Sequence, residues 1–361
     1  MKAFQLVAHG SPGTFELRAV PAPKPQPGEV VVAVRACGLN HLDLWLEEAG
    51  LPIQPALPRT PGGEISGVIV ELGERAPGIL PGWGSEGGVP GETPGARWRV
   101  GDRVAIQSNF FCGECEFCQR GEESQCLKSE LLGIQRDGGF AEQVVVPASS
   151  LVPLPDDVSF ATSAALTLAG STALHMLTVR AEVRAGDWVL VIGGASGVGS
   201  AAIQIAKELG ARVISTGSTE AKRALAQRLG AEFVVDSTNA KWPGEVRRLT
   251  GKRGVDVIVE HVGGAVLEQC FDCLARNGTI VTCGATAGRE VKLNLWPLFV
   301  KQQRLIGSYG RNRADMLTTQ NWAAAGKLKP VIHSVVPLPR AAEAFAALRA
   351  RTVLGKIVIT P

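Results

Sequence analysis

Four cysteines crowd one short stretch, Cys112-Gly113-Glu114-Cys115-Glu116-Phe117-Cys118 and then Cys126, a C-x2-C-x2-C-x7-C pattern. Four thiolates this close can close a tetrahedral shell on Zn²⁺ with no position left for substrate, which is the chemistry of a structural site. An iron–sulfur cluster is the rival, but its bacterial pattern puts the fourth cysteine after three residues and follows it with proline. Here the gap is seven and Leu127 follows. Disulfides are the third reading, less suited to a chain with no export signal. The spacing therefore points to one zinc per chain on Cys112, Cys115, Cys118 and Cys126. The remaining cysteines, Cys37, Cys270, Cys273 and Cys283, lie in apolar segments, and Cys270 and Cys273 share a helix face expected in the core.

The second chemical signal is Val191-Ile192-Gly193-Gly194-Ala195-Ser196-Gly197-Val198-Gly199-Ser200, lying between an apolar strand and a helix. At such a turn, backbone N–H groups and the helix N-terminus face a pyrophosphate, and glycine lets the backbone approach it. Gly194, Ser196, Gly197, Val198 and Gly199 are the expected cofactor contacts. An NAD site ordinarily carries Asp or Glu about 20 residues further on. This chain reads Ser215-Thr216-Gly217-Ser218-Thr219-Glu220-Ala221-Lys222-Arg223, with no carboxylate at the strand end. Ser218, Lys222 and Arg223 suit a 2′-phosphate, so NADP(H) is the expected cofactor. The bland reading of Lys222 and Arg223 is a solvated helix face.

These signals need elements to hold them. From about residue 155 strands and helices alternate, most helices closing at a glycine such as Gly210 or Gly230, which implies a parallel sheet covered on both faces. Before it, short β-like segments around 29–37, 64–73, 101–106 and 141–147 are divided by Gly and Pro and suggest a compact β-barrel-like unit. Residues 76–99 are rich in Gly and Pro and read as a surface excursion or a lid, with Trp83 and Trp98 placed to pin it. The fold class expected is α/β, a doubly wound parallel sheet with a second, β-rich domain.

Lys+Arg 37 against Asp+Glu 34 leaves a net charge of +3, too balanced for a wide phosphate-gripping surface. The cysteine region is itself acidic, with Glu114, Glu116, Glu122 and Glu123, so no nucleic-acid partner is expected, though an NADPH-binding regulator using this lobe is a class to test. No apolar run approaches about 18 residues and the first ten residues lack a signal-peptide core, so no membrane partner is expected and the cytosol is the expected address.

These features together resemble the medium-chain dehydrogenase/reductase superfamily over nearly the whole chain: the cysteine lobe, Gly101-Asp102-Arg103-Val104, Gly138-Gly139-Phe140-Ala141-Glu142, the glycine loop, and Gly355-Lys356-Ile357-Val358. The resemblance implies a GroES-like catalytic domain from residues 1–152 and 311–361 around a Rossmann domain at 153–310, and a homodimer or homotetramer through the Rossmann sheet. Alcohol dehydrogenases of this superfamily hold a second, catalytic zinc. Their motifs place its ligands where this chain has Asn40, Gly63 and a position at or near Leu168, and the relay hydroxyl at Leu42. The resemblance therefore favours the quinone or enone reductase branch, which passes hydride to an already electron-poor acceptor; the lobe, usual in the alcohol dehydrogenases, makes the chain a mixed type. An alcohol dehydrogenase with a rearranged metal site, drawing on Cys37, His41 and Glu64, is the alternative. Asn40 as carbonyl donor, His41 as proton donor and Asp43 as orienter are the candidate catalytic residues for a small carbonyl or quinone substrate. Asn40 and Asp43 equally suit a helix cap. His261 and Tyr309 are further candidates near the nicotinamide, with loop filling or packing as their bland reading.

Overall fold

The structure is a computed structural model, described here for residues 1–74 and 98–361. Except for Trp98 and Arg99, the 76–99 segment and both readings of it lie outside the described residues. Trp98 packs against the β-rich core, and its indole N–H donates to Ala148 O at 3.2 Å.

Six strands form one all-parallel sheet. Their spatial order is Phe233–Asp236, Arg212–Gly217, Trp188–Val191, Val255–Glu260, Leu274–Thr282, Arg304–Gly307. Numbered along the chain this is 3-2-1-4-5-6, the Rossmann order, and the reversal between Trp188–Val191 and Val255–Glu260 opens a crevice beyond their C-terminal ends. The two central strands are apolar throughout their middles because helices cover both faces: Val189, Leu190, Val191, Ile258 and Val259 are all fully buried. Cys270 and Cys273 are buried in this core, as their spacing implied. The helix carrying them, Gly264–Cys273, ends there because Leu274 is already extended (ψ 135°) and enters the next strand.

The other large sheet has seven strands. Ile332–Pro337, Lys356–Thr360, Glu29–Gly38, Glu64–Leu72, Arg103–Ile106 and Leu151–Pro153 pair in that order, and Gln143–Pro147 pairs with the central Glu29–Gly38. Phe4, Phe15, Phe140 and Phe345 meet inside it, with ring centroids 4.6–6.1 Å apart. Both ends of the chain thus build one sheet: Lys356–Thr360 lies directly beside Glu29–Gly38.

The two sheets meet at a helical corner. Phe160–Thr167 packs on the mixed sheet, and Ala169–His175 packs on Gly197–Glu208 of the parallel layer. Leu168 sits at the bend. Among the described residues no single helix is long and apolar enough to cross a membrane; the bent pair at this corner passes by composition, and it is largely buried core.

Candidate active site

The glycine loop behaves as its sequence requires. Ser196 caps the helix Gly197–Glu208 and its Oγ accepts from Gly199 N at 2.9 Å. The remaining orphan N–H groups of that first turn face the crevice, ready for an anion. Val198 lies in this turn. Gly194 sits so close to the neighbouring strand that a Cβ there would fall 2.0 Å from Ser215 Oγ. His261, just past the strand Val255–Glu260, lies under the loop with Nε2 3.2 Å from Ser196 Oγ. Burial pushes its imidazole below the ordinary range. The turn after it is held by Glu260, which accepts from Val262 N (2.6 Å), Gly263 N (2.7 Å) and Thr282 Oγ1 (2.8 Å). At the end of Arg212–Gly217, Lys222 Nζ donates to Ser218 Oγ (3.4 Å) and to Arg351 O (3.2 Å). Arg223 stands apart from them: it donates to Gly217 O and pairs with Asp236 at 3.0 Å. Tyr309 is half exposed beyond the last strand of this sheet.

Across the crevice the candidate catalytic residues begin the short helix His41–Glu47. Asn40 is its N-cap, and the Asp43 carboxylate reaches back to Asn40 N (2.8 Å) and across to Gly62 N (3.1 Å). Both the capping and the orienting expectations for Asp43 thus describe one geometry. Its burial raises the carboxyl to about 6, against the pull of those two N–H donors.

The Asn40 amide is not a free donor. Its Nδ2 donates to Gly38 O (3.3 Å) and Glu64 Oε2 (3.1 Å), while Oδ1 accepts from Lys356 Nζ at 2.6 Å. Both amide protons have protein acceptors, so the side chain positions its neighbours rather than awaiting a carbonyl. His41 is half-buried and lowered to about 4, chiefly by burial and then by the charges of His261, Lys356 and Arg351. At neutral pH it therefore presents a neutral imidazole, an N–H without the acidity of an imidazolium.

The centre of the site is a residue that the sequence reading quoted but did not assign. Lys356, 5% exposed, sends its ammonium to Glu64 Oε2 (2.6 Å), Leu39 O (2.7 Å) and Asn40 Oδ1 (2.6 Å). Glu64 is fully buried, and its other oxygen accepts from Leu168 N (2.7 Å) and Ala169 N (2.8 Å) at the helical corner. The Lys356 stem reaches this place beneath the glycine loop: a Cβ on Gly197 would fall 2.5 Å from Lys356 Cδ. One network thus joins the chain's last strand, the cofactor loop, the corner and the strand Glu64–Leu72. The signal for it is the cation at the start of the final strand, but its partners are hundreds of residues away.

Positions 40, 63 and 168 converge on this network. Asn40 is engaged, Gly63 has no side chain, Leu168 offers only its backbone N–H, and Glu64 is already neutralised. This donor set does not fit a three-ligand catalytic zinc. Nor do Cys37, His41 and Glu64 assemble: among the described residues, the four-cysteine lobe is the one cluster of three or more such side chains with ligand atoms in common reach. The Cys37 thiol is fully buried and pushed well above its ordinary range by that burial.

The lobe itself fits zinc. Tetrahedral Zn–S bonds of about 2.3 Å imply sulfur–sulfur edges near ~3.8 Å. Cys112–Cys118, Cys115–Cys118 and Cys112–Cys126 are 4.0, 3.5 and 3.6 Å apart, and all four sulfurs lie within 4.8 Å of one another. Backbone N–H groups of Cys112 and Lys128 point at Cys126 Sγ (3.3 and 3.4 Å), as a thiolate cage needs. The lobe docks on the body through Ser124 N, which donates to Asn312 Oδ1 at 3.1 Å.

The chain matches two family models, an alcohol dehydrogenase GroES-like domain over residues 26–156 and a zinc-binding dehydrogenase over residues 197–325. It is 31% identical over 349 residues to an alcohol dehydrogenase of Geobacillus stearothermophilus, covering 96% of each chain. Among solved structures it resembles an NAD-dependent alcohol dehydrogenase (38% identity, TM-score 0.90, all of both chains). It also resembles a cobalt- and zinc-bound thermostable alcohol dehydrogenase from Pyrobaculum aerophilum (31% identity, TM-score 0.83, 99% of both chains). With a Rossmann sheet, a GroES-like β-rich unit and full-length relatives of this kind, the chain belongs to the zinc-type alcohol dehydrogenase-like branch of the medium-chain dehydrogenase/reductase superfamily.

Proposed function

We propose that this oxidoreductase uses NADP(H) to pass hydride to a quinone or an α,β-unsaturated carbonyl, with one zinc in the cysteine lobe and none at the reacting centre. The observation that carries the reading is the Lys356–Glu64–Asn40 network on which positions 40, 63 and 168, where a catalytic zinc would need its ligands, converge. We divide the chain into a catalytic unit of residues 1–152 and 311–361 and a cofactor unit of residues 153–310.

The nicotinamide, when bound, supplies hydride at its C4. The chain's own residues do the rest. The Gly194–Gly199 turn receives the pyrophosphate. Ser218 and Lys222, already 3.4 Å apart, are the groups we assign to a 2′-phosphate; Arg223, paired with Asp236, contributes through the loop it holds. At the reacting end, Lys356 and Glu64 cancel each other's charge. With no net Lewis acidity, the site suits an acceptor that is electron-poor before it binds, and a few dipoles suffice for the developing oxyanion. His41 offers a neutral N–H there, and solvent supplies the proton.

Homo-oligomer formation belongs to the same reading. Leu295, Trp296, Phe299 and Val300 are exposed beside the edge strand Arg304–Gly307, an apolar patch on an unpaired sheet edge that a second copy would cover.

NADPH oxidation against a quinone and enal panel, beside NAD-linked ethanol oxidation and a zinc count, tests the proposal. Turnover of the panel with one zinc per chain is expected. Brisk ethanol oxidation with two zincs would establish the alcohol dehydrogenase alternative. Lys222→Ala should raise the KM for NADPH far more than that for NADH. An equal effect would return the cofactor to NAD, which the 38%-identical relative carries in its name.

A further inference from the structure

Among the described residues, Arg311 is a buried cation without a carboxylate. It is 2% exposed. Its Nη1 donates to Asn109 Oδ1 at 3.1 Å and its Nη2 to Ser108 Oγ at 2.6 Å, both neutral acceptors. Among the described residues its Nε has no partner, nor do the buried Ser308 Oγ, three residues before it, and Oε1 of Gln107, whose Nε2 donates to Arg311 O at 3.5 Å. Burial of the unpaired charge lowers the guanidinium to about 10. The carboxylates whose charges it feels are committed elsewhere: Glu64 to Lys356, and Asp315 to His175 Nδ1 (2.8 Å) and Asn312 N (2.8 Å). Arginine is almost never fully buried unless paired, so a native arginine in this state points to a counter-ion that arrives with a ligand.

Its location says which ligand. Arg311 follows the strand Arg304–Gly307, at the C-terminal edge where a parallel sheet keeps its cleft. Its partner Ser108 faces the Gly63–Glu64 turn: a Cβ on Gly63 would lie 3.3 Å from Ser108 Cβ. Arg311 thus stands where the reacting centre's strand and the cofactor sheet come together.

We propose that Arg311, with Ser108 and Asn109, is a recognition subsite for a carboxylate on the substrate, so that the acceptor is an unsaturated oxo-acid rather than a neutral enone. This deepens the reductase reading and rests on it. The planar fork of Arg311 matches a carboxylate in bidentate fashion. The incoming oxygens exchange two neutral acceptors for charge-assisted bonds, and the Ser108 hydroxyl turns to donate to them. Lysine in the same place would keep the charge and lose the fork.

The test compares 4-oxopent-2-enoate with its methyl ester, by NADPH oxidation in the wild type, Arg311→Gln and Arg311→Lys. The wild type should favour the acid by about 10- to 100-fold in kcat/KM, the worth of one or two charge-assisted bonds. That ratio should collapse toward one in Arg311→Gln and fall between in Arg311→Lys. A wild-type ratio near one, or a preference for the ester, overturns the subsite and leaves the reductase reading standing; it needs no variant to fold. Thermal-shift titration with the saturated acid, 4-oxopentanoate, against its methyl ester separates the two ideas. Acid-specific stabilisation lost in Arg311→Gln, with neither enone and no member of the quinone and enal panel reduced, would support the subsite and sink the reductase reading. No acid-specific stabilisation, again with no turnover, would sink both.

Discussion

Replacing Lys356 by methionine is the most direct perturbation of the network at the reacting centre. The substitution keeps the unbranched stem that passes under Gly197 and deletes only the ammonium. Three bonds of 2.6, 2.7 and 2.6 Å disappear with it. Glu64, with no exposed surface, loses its counter-charge. Removing one member of a buried ion pair typically costs about 3–5 kcal/mol. Three N–H donors still face the Glu64 carboxylate, from Leu168, Ala169 and Asn40. They soften the loss, while the stranded Leu39 O and Asn40 Oδ1 add to it. Lys356→Met should therefore lose about 4 kcal/mol of unfolding free energy at pH 8. The double variant Lys356→Met with Glu64→Gln removes both charges and should stand within about 1–2 kcal/mol of wild type, recovering about 2–3 kcal/mol of the single variant's loss. Urea unfolding of the three proteins at pH 8 measures this. A single variant within 1 kcal/mol of wild type, or a double variant no more stable than the single, would refute the assignment of Lys356 as the site's resident cation.

Other outcomes follow from the same geometry. Gly197→Ala puts a methyl 2.5 Å from Lys356 Cδ and 3.3 Å from Ala169 Cβ, so it should weaken cofactor binding at least tenfold in a fluorescence titration, whereas Gly244→Ala, which meets nothing within 4 Å, should not. His41 is lowered to about 4 in the fold against about 6.5 in an unfolded chain. The unfolded state takes the proton first, so this residue withdraws up to about 3 kcal/mol of stability as pH falls from about 6.5 to 4. Asp43, raised to about 6, acts oppositely and withdraws stability as pH rises from about 4 to 6. His41→Gln should thus gain on wild type as pH is lowered, and parallel curves would contradict the buried neutral imidazole. Stripping metal with a strong chelator should release about one zinc per chain and lower the melting temperature, and Cys115→Ser should reproduce the loss; an unchanged melting curve would remove zinc from the lobe. Trp296→Lys should shift the mass measured by light scattering toward a single chain if the exposed patch beside Arg304–Gly307 joins two copies.

What could be read from the sequence was what lies close together along it. The cysteine cage and the glycine turn are each contained in one short segment, and turn chemistry and ligand spacing are local physics. The alternation of strands and helices showed the parallel sheet for the same reason. Asn40 and Asp43 were legible as a cap, but not in their final state. Whether an amide proton is free depends on Glu64 and Gly38, and residue type says nothing of that. Lys356 and Arg311 were missed because their meaning lies in partners brought in by the sheet topology. A lysine before an apolar strand is ordinary until it is found against a buried glutamate. An arginine in a loop is ordinary until its charge is found unpaired.

The span between Leu39 and Lys356, 317 residues, has a consequence for biosynthesis. At about 5–20 residues per second, a ribosome needs roughly 16–60 s to deliver the lysine after the strand it must join has emerged. Throughout that interval the Cys37–Gly38 end of the Glu29–Gly38 strand waits for its partner, and the Glu64 carboxylate lacks Lys356. The nascent chain can finish its parallel-sheet layer before Lys356 reaches Glu64, so this network closes only when the strand Lys356–Thr360 docks.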